Sequence, residues 1–331
     1  MYCGEPLGVR PTQAWAEVWK LIKQVYGIDL WGEIAPRHYC LRACVPSQIN
    51  WCASKYTDMV LQDVHKADIS SAFPYEATKR LPTLTDSRVV YGKRPAPTPD
   101  YPFVFGSDGS MVFLEEDGTI IDTDKIIHSR FYPDAFKCKL SRDTVAKANG
   151  YEVPVFDYWL VCKATEGLGK VFEQLYARKQ QGDKVAKAIM NYFLGYCWKQ
   201  SKPAYLHLAA VVLARCDTRM IKLAEQLIDG GNTPLLIVTD SIAWIGDDGA
   251  VPVASTKTLG GFCWEARNCC MMIASPKAYQ MQVDNTTITR WAGVDKTTTA
   301  NMPFGAIANH SGYVTVIGEN SSTTNIYDNW V

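Results

Sequence analysis

Two aspartates in this sequence stand where a carboxylate could meet a divalent cation. In Asp68-Ile69-Ser70-Ser71-Ala72-Phe73-Pro74 an acid ends an extended run and opens a tight turn, which suits a hard ion held beside a phosphate. In Leu236-Ile237-Val238-Thr239-Asp240-Ser241-Ile242 a single acid interrupts an apolar hairpin, and a buried carboxylate there is costly without a cation. The plain alternative for each is a surface turn or a helix cap. A third segment supplies positive charge. Lys184, Lys187 and Asn191 fall at i, i+3 and i+7 of a helical stretch and share one face, with Arg178 just upstream. Lysines on such a face can neutralise a triphosphate, with Asn191 near its sugar or base. A fourth segment, Lys277-Ala278-Tyr279, alternates as a strand does. That sends Lys277 and Tyr279 the same way and suits a nucleic-acid backbone and sugar.

The elements that must position these groups follow from spacing. Val60 to Ile69 reads as an extended run closed by Ser70, Ser71 and a boundary at Pro74. Leu81 to Tyr158 is rich in proline, aspartate and short β-prone pieces such as Arg88 to Tyr91 and Pro102 to Phe105, with turns at Asp108-Gly109 and Asp117-Gly118. Helical pattern spans Leu168 to Arg178 and Asp183 to Leu194. A long amphipathic helix then runs from about Tyr205 to Ile228 after Pro203 and stops at Gly230-Gly231. Leu235 to Ile245 reads as a strand pair turning at Asp240-Ser241, and Met271 to Thr289 as a second hairpin. Near the start, Thr12 caps a helix carrying Trp15, Val18, Trp19, Ile22 and Val25 on one face and ending at Gly27.

Composition narrows the class. The 331 residues are 47% hydrophobic and 21% charged, as in ordinary globular proteins. No basic start followed by an apolar run marks a leader. Leu206 to Ala214 is far too short to span a bilayer, which takes about 20 residues. A cytoplasmic protein with no membrane partner is expected. Eleven cysteines, an odd and scattered set, read as reduced thiols. His38, Cys40, Cys44 and Cys52 are the one group with any zinc-like clustering, and their spacing is irregular. Net charge is zero, with 34 basic and 34 acidic residues. The segment from Lys163 to Lys202 nevertheless carries eight basic against three acidic residues, a local field of the kind that draws phosphates.

In order and spacing, these segments resemble the motifs of family B DNA polymerases. Asp68 to Pro74 resembles Asp-x-x-Ser-x-Tyr-Pro, Lys187 to Gly195 resembles Lys-x-x-x-Asn-Ser-x-Tyr-Gly, Val238 to Ser241 resembles Asp-Thr-Asp-Ser, and Lys277 to Tyr279 resembles Lys-x-Tyr. The similarity extends to the protein-primed polymerases of small linear-genome bacteriophages through Lys163 to Leu168, Ser129 to Tyr132 and Ala292-Gly293, and covers about Tyr39 to Lys296.

The resemblance implies an α+β fold of right-hand polymerase type, with an antiparallel-sheet palm, short helical fingers and a reduced thumb. Its divisions would be a lead-in at 1–58, palm at 59–80, an insertion at 81–160, fingers at 161–198, palm again at 199–290, and a small thumb at 291–331. It implies template-directed addition of deoxynucleotides to a primer end. Asp68 and Asp240, with the Ile69 carbonyl, would hold two Mg2+ ions, for which Mn2+ substitutes. Phe73, Arg178, Lys184, Lys187 and Asn191 would bind the nucleotide, with Phe73 as the bulk that excludes a ribose hydroxyl. Ser241, Lys277 and Tyr279 would hold the primer. Partners would be a DNA primer-template, deoxynucleoside triphosphates and, in the protein-primed case, a terminal protein. Several departures accompany it, beginning with Phe73 where the motif has tyrosine. Val238 replaces an aspartate, and Tyr192 and Leu194 replace serine and tyrosine. No insertion fits between Gly195 and Pro203. The stretch before Asp68 contains no Asp-x-Glu signature, so a form without proofreading is expected. A catalytically silent DNA-binding relative is the main competing expectation; primer synthesis or untemplated addition is another.

Overall fold

The computed structural model describes residues 20–22, 24–26, 41, 44–45, 49–124, 158–198, 205–253, 257–294, 296–300 and 302–308. Ser129 to Tyr132, His38, Cys40, Pro203, most of the Thr12-capped helix and most of the expected thumb lie outside them. The chain divides into two compact units, one of Met1–Glu5, Ile49–Ser70 and Met220–Val331, the other of Pro6–Gln48 and Ser71–Arg219.

The first unit is built on a seven-stranded sheet. Its strands are β1 (Asn50–Cys52), β2 (Val60–Ile69), β8 (Thr233–Val238), β9 (Ser241–Ile245), β10 (Phe262–Ser275), β11 (Ala278–Val283) and β12 (Thr286–Trp291). They run in the order β1-β8-β9-β2-β10-β11-β12, and every pair is antiparallel. One face is apolar, with Leu61, Val64, Leu235, Leu236, Ala243 and Ile273 among its buried residues. On the other, Trp244 and Trp264 stack at 5.6 Å with His65 beside both. Gln280, fully buried, donates to the Pro303 carbonyl at 2.9 Å and accepts from the Gly305 N–H at 2.8 Å, tying residues 302–308 to the sheet.

The second unit has a five-stranded sheet of order β3-β7-β4-β5-β6. Its strands are β3 (Leu81–Tyr91), β4 (Phe103–Gly106), β5 (Met111–Leu114), β6 (Ile120–Asp122) and β7 (Tyr158–Thr165). Among the described residues, helices α1 (Ala72–Glu76), α2 (Gly169–Gln180), α3 (Lys184–Trp198) and α4 (Leu206–Asp229) accompany the sheets. The chain returns to the first unit within α4, and a further short helix, α5 (Lys296–Ala300), belongs there. Phe103, Phe105, Phe113 and Leu160 of the sheet bury against Leu206, Ala210 and Ala214 of α4. Phe172 of α2 meets Phe193 of α3 edge-on at 4.8 Å. The expected turns at Asp108-Gly109 and Asp117-Gly118 are present. Each aspartate accepts the N–H two residues on, at 2.8 and 2.9 Å, and each glycine takes the positive φ that the turn requires.

The structure differs from the sequence reading at five places. The hairpin placed at Met271 to Thr289 is a three-stranded meander whose first strand starts at Phe262. The turn between β8 and β9 is Thr239-Asp240, one residue earlier than expected, and Ser241 already pairs with Val238. Lys277 lies in the β10–β11 turn after Pro276, so it does not alternate with Tyr279 on a strand. Pro74 sits inside the first turn of α1, where its missing N–H has no intrahelical partner to lose. Strand β7 is present where no strand was foreseen. Among the described residues, no helix is long and apolar enough to cross a membrane.

Candidate active site

Strand β2 delivers Asp68 to the point where the β8–β9 turn delivers Asp240. Asp68 pairs with Ser241 on β9 and with Cys263 on β10, and the Ile69 N–H donates to the Asp240 carbonyl at 3.0 Å. The two carboxylate-bearing residues, 172 positions apart in the sequence, are therefore backbone neighbours at one end of the sheet. Both are half-buried. The turn that presents Asp240 is strained. Thr239 has φ of 60°, a conformation a β-branched residue rarely adopts, and its N–H is anchored on the Ile49 carbonyl at 2.7 Å. Beside Asp68 the chain docks on a glycine pair. The Ser70 N–H donates to the Gly261 carbonyl at 2.9 Å, and the Gly260 N–H donates to the Ser70 carbonyl at 2.8 Å.

Behind Asp68 lies a residue the sequence reading passed over. Lys66 is 0% exposed. Its ammonium donates to Ser241 Oγ at 2.8 Å, bonds Glu265 Oε2 closely, and sits 5.5 Å from the Tyr279 ring centroid. Burial alone would favour the neutral amine. The Tyr279 hydroxyl, the Glu265 carboxylate and Asp68 outweigh it and hold the Lys66 pKa above the ordinary lysine value. Burial raises the Tyr279 pKa in turn. Ser241 and Tyr279 are themselves buried, at 6% and 5% exposure, with their polar atoms directed to Lys66. Lys277 is exposed, yet the protein around its amine lowers its pKa by desolvation. A lysine within an apolar strand reads as a solvated edge. The available signal was its i−2 spacing from Asp68, which puts both on one face of β2.

In the second unit Phe73 is half-buried on α1. Lys184 and Lys187 are exposed on one side of α3, with Asn191 half-buried further along. Arg178 is engaged locally, its guanidinium pairing with Asp183 at 2.7 Å. Asp183 also caps α3 by accepting the Val185 and Ala186 N–H groups at 2.8 and 3.0 Å. The cation that reaches the Ser70–Phe73 turn is instead Lys179, which donates to Ser71 Oγ at 2.7 Å. Lys179 was not among the expected site residues, because helical phase alone does not show which of two adjacent cations points inward.

As a donor set for metal, the first unit offers two half-buried carboxylates on touching backbone. Among the described residues no three His, Cys, Asp or Glu side chains form a ready-made cage. That fits magnesium, which is commonly held by one or two carboxylates with water and substrate phosphate completing the octahedron. Cys44, from the zinc-like group, is buried with its thiol donating to the Gly106 and Ser110 carbonyls at 3.3 and 3.4 Å.

No protein-family model matches the chain, and no curated protein matches its sequence. Solved structures do. Phi29 DNA polymerase complexed with single-stranded DNA superposes with a TM-score of 0.65 at 14% identity, over 89% of this chain and 61% of that one. The chain shares its fold with Phi29 DNA polymerase. The orthorhombic crystal form of that polymerase gives 0.61 at 14% identity, and its ternary complex with primer-template DNA and incoming nucleotide substrates gives 0.62 at 16%. The chain spans 61–62% of the length of these polymerase chains. The likeness supports the mixed helix and antiparallel-sheet architecture read from the sequence.

Proposed function

We propose that the protein is a template-directed DNA polymerase that adds deoxynucleotides to a primer end. The observation that carries this is the contact between the backbones of Ile69 and Asp240 beside the Asp68–Ser241 pair, at the end of a sheet in a fold shared with a DNA polymerase. Within this reading the seven-stranded sheet is the palm, α2 and α3 are the fingers, and the segment after β12 is a reduced thumb.

Asp68 and Asp240, with the Ile69 carbonyl, would hold Mg2+ or Mn2+. Two ions bound there would lower the pKa of a primer hydroxyl and neutralise the departing pyrophosphate. The rest of the work is positioning and charge compensation, which suffice for phosphoryl transfer. Lys184 and Lys187 neutralise the triphosphate, joined by Lys179 at the Ser71 turn; Arg178 contributes once released from Asp183. Asn191 lies toward the sugar or base, and the Phe73 ring blocks a 2′-hydroxyl. Lys277 contacts the primer directly, whereas Ser241 and Tyr279 act through Lys66. Base pairing with the template selects the nucleotide. The primer is a DNA end or the hydroxyl of a terminal protein. Extension of a labelled primer-template with one nucleotide at a time tests this: only the complementary deoxynucleotide is added, and failure to extend in both Mg2+ and Mn2+ refutes it.

Val238 favours one second reading, a polymerase-like DNA-binding protein without activity, because an acid of the resembled motif is replaced by an apolar strand residue. That protein binds primer-template but incorporates nothing.

A further inference from the structure

Among the described residues Lys66 is the largest polar side chain with no exposure, and it lies two residues from Asp68 on the same face of β2, about 6.6 Å along the strand at 3.3 Å per residue. Everything its ammonium touches belongs to the wall behind the two carboxylates. Ser241 follows Asp240 and pairs with Asp68. Glu265 follows Cys263 and Trp264 on the strand that flanks Asp68 on its other side. Tyr279 closes the cluster from β11. A fully buried ammonium is expensive, and a packed apolar side chain of like volume often serves stability as well. The apolar face around it already contains Val64, Ala243 and Ile273. Its position beside an acidic turn gives it a use that packing does not.

We propose that Lys66 is a positioning residue: a fixed counter-charge that sets how tightly the Asp68–Asp240 site holds divalent cations and that clamps Glu265 and Ser241 behind it. The proposal rests on the reading of Asp68 and Asp240 as metal ligands. With Lys66 present, the three carboxylates of Asp68, Asp240 and Glu265 are offset by one internal positive charge, so the ions are held loosely enough to arrive and leave with substrate phosphate. Removing the ammonium deepens the negative potential. A unit charge about 7 Å from a divalent ion changes affinity by roughly tenfold even at the dielectric of water, and by about a thousandfold or more at an effective dielectric of about 20. Loss of packing alone acts in the other direction, loosening the turn and weakening the ion.

The test is titration of Mn2+ into the full chain without DNA or nucleotide, read by electron paramagnetic resonance, with circular dichroism confirming that each variant is folded. Wild type binds Mn2+, and Asp240→Asn abolishes that binding; absence of any Asp240-dependent ion overturns the metal-site reading itself. Lys66→Met binds Mn2+ about tenfold tighter or more, and the Lys66→Met/Glu265→Gln pair returns to within about threefold of wild type because both charges are gone. Glu265 is partly exposed, so Glu265→Gln folds even if Lys66→Met does not, and it weakens Mn2+ binding because the ammonium is less opposed. Unchanged or weaker binding by folded Lys66→Met, or unchanged binding by Glu265→Gln, overturns the proposal while leaving the metal site standing.

Discussion

Replacing Arg215 with methionine removes the centre of the polar network that joins α4 to the β3 and β5 ends. The Arg215 side chain is 1% exposed. Its guanidinium forks onto both oxygens of Glu115 at 2.6 and 2.7 Å, and also donates to the backbone carbonyls of Glu76 and Arg80 at 3.2 and 2.8 Å. Methionine keeps the stem against the Phe113 ring and deletes all four bonds. Removing one partner of a buried ion pair costs about 3–5 kcal/mol, because the other charge stays behind uncompensated. Glu115 retains 14% exposure of its side chain, which lets water reach it and puts the expected loss near about 3 kcal/mol. Urea unfolding followed by circular dichroism measures this as a lower midpoint with an unchanged slope. The Arg215→Met/Glu115→Gln variant recovers part of the loss, since no buried charge remains. A single-variant loss below about 1 kcal/mol, the value of an exposed pair, would refute the reasoning that this bridge acts as a buried one.

Three further predictions follow from particular contacts. The Ala186 N–H, the Arg178 guanidinium and the Val185 N–H hold the Asp183 carboxyl below the ordinary carboxylate pKa. Its cap is therefore intact at neutral pH and is lost as pH falls through the folded-state value, below about pH 4; protection of the Val185 to Lys187 amides relative to intrinsic exchange falls there, and in Asp183→Ala it is already low at neutral pH. Phe73→Ala admits ribonucleotides in primer extension, and unchanged sugar discrimination rules out the gate. Gln280→Ala frees residues 302–308 from β11, so limited proteolysis cuts that segment sooner while the sheet survives.

Much of the fold was legible because its signals are local. The end of β2 at Ile69 and the span of α4 follow from a carboxylate closing an apolar run and from helical spacing up to Gly230-Gly231. The contact of Asp68 with the Asp240 turn was reachable only through the motif order, since pairing between β2 and β9 joins residues far apart in sequence. Strand β10 hid its first half because its register against β2 shifts three times between Trp264 and Met271. Asn268 and, on β2, Asp63 take positive φ there, and such bulges break the alternation that marks a strand. Lys277 was misplaced because one proline moved it into a turn. Lys66 was missed because a charge in a strand reads as exposed, and only the packing of β9, β10 and β11 around it reverses that.

The central claim is that Asp68 and Asp240 serve one metal-dependent reaction. Single-nucleotide extension of a matched primer-template in Mg2+ measures it most directly, with wild type beside folded Asp68→Asn and Asp240→Asn. The account predicts extension by wild type and a loss of at least about a thousandfold in each variant, as befits groups that hold the charge of the reaction. Extension by either variant at the wild-type rate would contradict it.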